Sequence, residues 1–527
     1  MREVDRLTTE KYGIPSILLM ENAAHAAARV ITEKLGGSVA GKSFLILCGK
    51  GNNGGDGAAL ARILAVQGAF IDVLLFGKIR DTKGNAKKNF EMCSKLNGSI
   101  GIEIFECPTR NKWDKFLYSA SQDWDAVVDA IFGTGLTRPL DVWLWNVVHH
   151  INIINEPPTP FPRICVSIDV PSGLNADSGK PFGENIQADL TVTFTAPKPA
   201  NVLAPASGFG GELVVANIGS PQKLIDDAPS QLFLAERKDV KDWLEETKFT
   251  GDSHKTTRGR AIFIAGSRNM AGAAVLAANA AMRSGVGLIR VATAESAQNA
   301  VSSHAYPEVM VAGLPETSGG AISAEAFEKI VELSEKMHVV SIGSGLSSSE
   351  ETTKTLVRRV VENRKTPVVI DADGLNALAP LDLKGTDELP IILTPHVGEM
   401  KKLLGDDDEK FEDRVRLVRE FAAKHHVFLI LKGERSLIAA PDGRVVVNPT
   451  GNSGLGRAGN GDTLAGIVTA FVAQAVSMKI DVFETLVAAV YTAGLAGDIA
   501  ERKFGKRVMT ASDVRDCMAD AFREIEG

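Results

Sequence analysis

Cysteine is scarce in this chain: five residues in 527, Cys48, Cys93, Cys107, Cys165 and Cys517, none of them spaced Cys-x-x-Cys. An odd number cannot pair completely within one chain, and a reducing, cytoplasmic setting is expected. A block of basic residues is also missing. The 58 Lys and Arg against 65 Asp and Glu leave a net charge of −7, so the electrostatic footprint of a nucleic-acid binder is absent. Residues Met1 to Glu10 are charged and lack the apolar centre of a signal peptide. No apolar run approaches the ~20 residues that span a bilayer, so no membrane segment is expected. Neither a fixed-period repeat nor a low-complexity tract is visible.

What is present is a globular balance, with 44% hydrophobic and 23% charged residues, which argues against long disorder. The length suits two domains, each able to bury its own core. Short β-branched runs alternate with amphipathic segments almost throughout, the pattern of parallel sheets covered by helices, so both halves are read as α/β. In the first half Phe44–Cys48, Asp72–Phe76, Ala126–Ala130 and Ile164–Asp169 read as buried strands, preceded by a helix over Ile14–Leu35. The alternation lapses into charged, irregular sequence near Pro221 to Ser253. It restarts with Arg260–Ala265, Val339–Gly343, Val368–Asp371, Ile391–Thr394 and Phe428–Lys432, and three helices are expected from Asp462 to Ile525. The predicted division is a first domain over 1–220, a linker over 221–252 and a second domain over 253–527.

In the first domain the strand ending at Cys48 runs into Gly49-Lys-Gly-Asn-Asn-Gly-Gly-Asp-Gly57 and then an apolar helix. Glycines at such a turn let backbone approach a ligand, and free N–H groups at the helix start attract phosphate. The loop lacks the Gly-Lys-Ser/Thr ending of a Walker loop and the dinucleotide fingerprint's spacing. A tight structural turn is the plainer reading, and the two asparagines and the aspartate inside it favour a site. Asp129, in Asp129-Ala-Ile-Phe-Gly-Thr-Gly-Leu-Thr-Arg-Pro139, and Asp169, in Ser167-Ile-Asp-Val-Pro-Ser-Gly173, each stand at the C-terminal end of an apolar strand. Ligands of open α/β sheets collect there, and a buried acid needs a partner or a cation. Either acid alone reads as a cap or a satisfied core group.

These three segments, with Pro15-Ser-Ile-Leu-Leu-Met-Glu-Asn22 ahead of them, resemble the NAD(P)H-hydrate epimerase domain over residues 1–220. The resemblance implies a Rossmann-like three-layer sandwich that binds hydrated nicotinamide dinucleotide, NADHX or NADPHX, and a potassium ion. It assigns potassium to Asn53, Asp129 and Ser172, and substrate contacts to Asn52, Asn53, Gly54, Gly55 and Asp56. Further substrate contacts fall on Gly133, Thr134, Gly135, Leu136, Thr137, Arg138 and Pro139, with Asp169 as the acid/base. Oxygen ligands suit such a hard cation.

The second domain carries Gly451-Asn-Ser-Gly-Leu-Gly-Arg-Ala-Gly-Asn-Gly-Asp-Thr-Leu-Ala-Gly466, a glycine-rich loop entering an apolar helix with Asp462 at its start. Backbone N–H groups from Gly459 to Asp462 and the helix dipole can stabilise a transferring phosphoryl group, while Asp462 takes a proton from an attacking hydroxyl. A simple helix cap is the competing reading. The element resembles the ribokinase-like fold. Ser253-His-Lys255, Gly266-Ser-Arg-Asn-Met-Ala-Gly-Ala-Ala274, Gly343-Ser-Gly-Leu346, Asp371-Ala-Asp-Gly-Leu375, Thr394-Pro-His-Val-Gly-Glu399 and Lys432-Gly-Glu-Arg-Ser436 narrow it to the ADP/ATP-dependent NAD(P)H-hydrate dehydratase. By this resemblance Ala273, Gly345, His396 and Asp462 contact the hydrated dinucleotide. Lys432, Gly433, Glu434, Arg435, Ser436 and Gly461 hold ADP, with Mg2+ bridging its phosphates. Asp371 and Asp373 read equally as strand-end structure or as organisers of water and metal. Relatives commonly read Thr-Gly-Gly-Thr-Gly-Asp where this chain has Arg457 and Asn460.

The expectation is a bifunctional repair enzyme that epimerises R- and S-NAD(P)HX and dehydrates the S form to NAD(P)H with ADP, forming AMP and phosphate. Its partners are small molecules and, as a homo-oligomer, further copies of itself. The alternatives are a ribokinase-like small-molecule kinase with an N-terminal regulatory domain, or a non-catalytic N-terminal binding module.

Overall fold

The computed structural model describes residues 1–527 except 120–122, 156–162, 349, 406–410 and 412. The chain folds as two compact units, Met1–Pro229 and Ser230–Gly527. In the first unit the strands are β1 (Ser43–Cys48), β2 (Phe70–Leu75), β3 (Ile102–Glu106), β4 (Ala126–Ala130), β5 (Ile164–Ile168), β6 (Leu190–Phe194) and β7 (Glu212–Ala216). They form one parallel sheet in the order 3-2-1-4-5-6-7. Alternate residues of β1 serve opposite faces, as the two-residue period of a strand requires. Phe44, Ile46 and Cys48 pack with helices Ser16–Lys34, Asn52–Val66 and Gly84–Leu96. Leu45 and Leu47 pack with Trp113, Phe116, Leu144 and Val147 of helices Arg110–Ser119 and Val142–Asn155. The result is the expected three-layer sandwich.

The second unit holds β8 (Leu232–Leu234), β9 (Arg260–Ile264), β10 (Leu288–Ala294), β11 (Met310–Leu314), β12 (Val339–Ile342), β13 (Val368–Ile370), β14 (Ile391–Leu393), β15 (Phe428–Leu431), β16 (Leu437–Ala439) and β17 (Val445–Val447). Their order is 11-10-9-12-13-14-15-16-17-8, parallel from β11 to β15 and antiparallel at β15–β16 and β16–β17. Ala261 and Phe263 meet helices Ala271–Met282 and Asn460–Met478 on one face. On the other face Val340, paired in register with Ile262, lies against Phe327, Ile330 and Val360 of helices Phe327–Ser334 and Glu351–Glu362.

The stretch 221–252 is not an irregular linker. Leu232–Leu234 pairs in parallel with Val445–Val447 at the sheet edge. Helix Arg237–Glu246 buries Val240 and Trp243, whose indole stacks on Phe471 at 4.4 Å and donates to Thr485 Oγ1 at 3.0 Å. A three-residue strand is too short for alternation to register, and three apolar residues, Val240, Trp243 and Leu244, in an otherwise charged ten-residue helix resemble a solvated segment. The C-terminal region forms four helices rather than three, Ala511–Asp516 and Met518–Glu526 being separate. Helices Asn460–Met478 and Val482–Phe504 are long and apolar enough to cross a bilayer, contrary to the expectation from the sequence, but both lie largely buried in the second unit. All five cysteines are buried and unpaired.

Close packing in the second unit depends on Gly466, where an added methyl group would lie 2.1 Å from the Ala277 carbonyl oxygen. Gly466→Ala is therefore expected to cost about 1–3 kcal/mol or more. Urea denaturation of the full chain measures this, and an unmoved second-unit transition contradicts it.

Candidate active sites

In each sheet two motif loops flank the point where strand order reverses, those after β1 and β4 in the first unit and those after β9 and β12 in the second, with the other motifs at further strand ends or at a helix start. Diverging loops open a crevice there. In the first unit the loops after β1 and β4 touch so closely that a methyl group on Gly49 would lie 2.0 Å from the Ile131 carbonyl oxygen, and one on Gly54 1.8 Å from that of Gly49. Gly57 packs on Ala130 in the same way, at 2.7 Å. These glycines press helix Asn52–Val66 against the strand ends and place Asn52 and Asn53 in its first turn, with Asp56 just beyond it.

Asp129, fully buried in β4, accepts four hydrogen bonds: Ser172 N (2.7 Å), Ser172 Oγ (2.5 Å), Ser167 Oγ (3.0 Å) and Ile131 N (3.2 Å). Burial raises its pKa above the usual carboxylate range, and the bonds from Ser172 pull the other way. Ser172 Oγ in turn accepts from Phe132 N at 2.9 Å. A methyl group on the next residue, Gly133, would meet Asp169 Oδ2 at 2.8 Å and Asn53 Oδ1 at 3.1 Å. Asn53, Asp129, Asp169 and Ser172 thus all lie about the segment from Ile131 to Thr134.

Asp169 adopts φ +71, a strained conformation for an aspartate, of the kind held by surrounding contacts. Its backbone bonds to Val192 and to the Asn201 amide. Its carboxylate lies 2.5 Å from Lys198 Nζ, accepts from Thr193 Oγ1 at 3.1 Å, and takes the Thr134 N–H at 3.3 Å. The buried Lys198 ammonium also donates to Thr193 Oγ1 and the Phe194 carbonyl, both at 2.9 Å. Burial, then the Asp169 carboxylate, pushes Asp56 well above the ordinary range. Along the loop Gly133 and Leu136 are buried, while Gly135, Thr137, Arg138 and Pro139 are exposed and Arg138 lies 3.8 Å from Asp141. The motifs did not reveal Lys198, Thr193 and Asn201. Their only signal was a lysine a few residues beyond a strand, after Thr195-Ala196-Pro197.

In the second unit Asp462 occupies the first turn of helix Asn460–Met478, which starts after Gly459 at φ +90. Asp371, at the end of β13, accepts Lys432 Nζ and Thr394 Oγ1, each at 2.7 Å. Lys432 also lies 3.8 Å from Glu399. A methyl group on Gly461 would stand 3.5 Å from Lys432 Nζ and 3.8 Å from Asp371 Oδ2, so the glycine loop faces this pair directly. Burial raises the Asp462 pKa, as do Asp371 and Asp373, while Ser344 and Lys432 lower it. Burial pulls Lys432 down, but Asp371 and Glu399 hold it above its ordinary value.

Gly345, at φ +67, brings two loops together: a methyl group there would lie 2.9 Å from Ala273 Cβ. Asp373 accepts from Ser347 N at 2.9 Å and Ser348 Oγ at 2.8 Å. His396 caps helix Val397–Leu404, its Nδ1 accepting from Gly398 N and Glu399 N; its ring is exposed, and its backbone pairs with that of Lys432 in an isolated parallel bridge. In the Lys432–Ser436 loop Ser436 Oγ bonds to the Gly433 carbonyl at 3.2 Å, Arg435 reaches the Pro449 carbonyl, and the Glu434 carbonyl accepts from Arg414 at 3.4 Å. The unusual Arg457 and Asn460 bond to the Arg507 and Leu455 carbonyls, the first far along the chain and the second close by.

The model of the NAD(P)H-hydrate dehydratase family matches residues 261–519, and that of the YjeF-related protein N-terminus matches 16–200. The bifunctional NAD(P)H-hydrate repair enzyme Nnr of Moorella thermoacetica is 40% identical over 528 residues, covering 100% of this chain and 96% of that one. The chain belongs to the bifunctional NAD(P)H-hydrate repair enzyme family. The enzyme of the same name from Thermofilum pendens is 34% identical, over 99% of this chain and 95% of its own. The crystal structure of the ADP/ATP-dependent NAD(P)H-hydrate dehydratase from Bacillus subtilis, co-crystallized with ATP/Mg2+, is 29% identical with a TM-score of 0.49, over 57% of this chain and all of that one.

Breaking the buried Lys432–Asp371 pair leaves an uncompensated carboxylate, so Lys432→Met is expected to cost about 3–5 kcal/mol. Lys432→Met combined with Asp371→Asn is expected to cost less than Lys432→Met alone. Denaturation of both variants checks this order.

Proposed function

We propose that the first unit interconverts R- and S-NAD(P)HX and that the second dehydrates the S form with ADP, using the residues brought together at the two sets of strand ends. The observation that carries the reading is Asp462 at a glycine-walled helix start beside the Lys432–Asp371 pair. Backbone N–H groups there suit a transferring phosphoryl group, and the adjoining carboxylate suits the hydroxyl that attacks it. In this reaction the C6 hydroxyl oxygen bonds to the terminal phosphorus of ADP, and the bond from that phosphorus to AMP breaks. Asp462 takes the hydroxyl proton. Phosphate then leaves C6 with its bonding electrons while C5 loses a proton, restoring the C5=C6 double bond. Lys432 and the Lys432–Ser436 loop hold the donor phosphates, and Ala273, Gly345 and His396 the dinucleotide.

Asp371 turns Oδ2 toward Gly461 and fits a magnesium ion held with the donor phosphates, where the ion supplies charge neutralisation. In the first unit Asn53 Oδ1, Asp129 and Ser172 Oγ bring oxygen atoms to the Ile131–Gly133 segment. That donor set fits potassium, which supplies positive charge beside the bound nucleotide. Asp169, oriented by Lys198 and Thr193 and facing Gly133, is placed to exchange a proton with the C6 hydroxyl. Both activities suit the cytoplasm, where nicotinamide nucleotides become hydrated.

Incubation with S-NADHX and ADP is expected to restore NADH absorbance and release AMP; a stable phosphorylated product instead supports the kinase reading. Asp462→Asn is expected to lower dehydration about 10²–10⁴-fold while leaving R/S interconversion intact. The carboxylate acts in its deprotonated form and its pKa is raised. The acidic limb of kcat/KM should therefore lie above the ordinary aspartate value of about 3.9, with activity falling as pH drops through it. Asp169→Asn is expected to reduce R/S interconversion, followed chromatographically, to the spontaneous rate.

A further inference from the structure

Helix Arg2–Glu10 carries none of the motifs, yet it is fixed against the first unit by buried Val4 and Thr8. Arg2 sends its guanidinium to the Thr134 carbonyl, and the N–H of the same Thr134 donates to Asp169 Oδ2 at 3.3 Å. Thr134 is thus held from both sides, by Arg2 through its carbonyl and by Asp169 through its amide.

We propose that this helix is a working wall of the epimerase site, in which Arg2 positions the Gly133–Pro139 loop. The inference rests on the epimerase reading given above. Thr134 directly follows Gly133, which faces Asp169 Oδ2 and Asn53 Oδ1, so the bond from Arg2 fixes the loop at the point where it meets the Asp169 carboxylate. Arg2 is a positioning residue: it acts on substrate through Thr134, and the hydrogen bond it makes is one that a lysine can also donate.

The test uses the full chain, with R-to-S conversion of NADHX as the readout and dehydration of S-NADHX by the same preparation as the internal reference. Arg2→Ala is expected to raise KM for epimerisation about tenfold with kcat little changed, and Arg2→Lys to recover most of the loss. Dehydration should match the wild type in both variants. Wild-type epimerisation by Arg2→Ala overturns the inference. So does an Arg2→Ala defect that Arg2→Lys fails to recover, because the helix then serves folding alone. If the wild-type chain interconverts the isomers no faster than they do spontaneously, the epimerase reading itself falls.

Discussion

An aspartate at the end of a buried parallel strand cannot stand alone, and the answer to that constraint is the same in both units. Asp169 follows β5 and meets Lys198, which follows β6; Asp371 follows β13 and meets Lys432, which follows β15. Lys198 enters from the adjacent strand end and Lys432 from the one beyond β14, so the parallel order of the sheet supplies the counter-charge. Ion pairs of this kind are poor stabilisers, because desolvation offsets much of their attraction. What they do well is fix direction. In each unit the carboxylate is turned toward a glycine, Gly133 in one and Gly461 in the other, and so toward open backbone rather than toward a side chain.

The glycines complete the same design from the other side. Gly49, Gly54 and Gly57 allow the first turn of helix Asn52–Val66 to press onto strand ends at distances that no side chain permits, and Gly343 and Gly345 do so in the second unit. Close approach places several backbone N–H groups on one small volume, which is what an anionic nucleotide requires. Sequence pattern and chemistry therefore share a cause: glycine runs occur where backbone itself must form the wall.

Much of this was legible from residue order alone. Apolar runs such as Phe44–Cys48 and Ala126–Ala130 are buried on both faces and read plainly as parallel strands, and each glycine loop stood where a strand gave way to a helix. The residues that escaped notice did so for a physical reason. Lys198 lies outside any glycine loop, and nothing in its neighbours shows that it turns inward to Asp169. Arg2 sits in a charged helix that resembles solvated surface until Val4 and Thr8 are seen to be buried. His396 carried a motif, but its ring nitrogen is committed to capping a helix while the opposite edge stays exposed, so the motif serves the backbone first.

The short strand Leu232–Leu234 bears on how the molecule can be divided. It forms the outer rim of the ten-stranded sheet, and helix Arg237–Glu246 covers Phe471 through Trp243. The family model begins at residue 261, beyond both elements. A fragment trimmed to that limit loses an edge strand, leaves the backbone of Val445–Val447 open to pairing with other chains, and bares an aromatic face that now lies in the core. The folding unit thus starts about thirty residues ahead of the stretch that carries its chemistry, and Ser230 is the natural point at which to separate it.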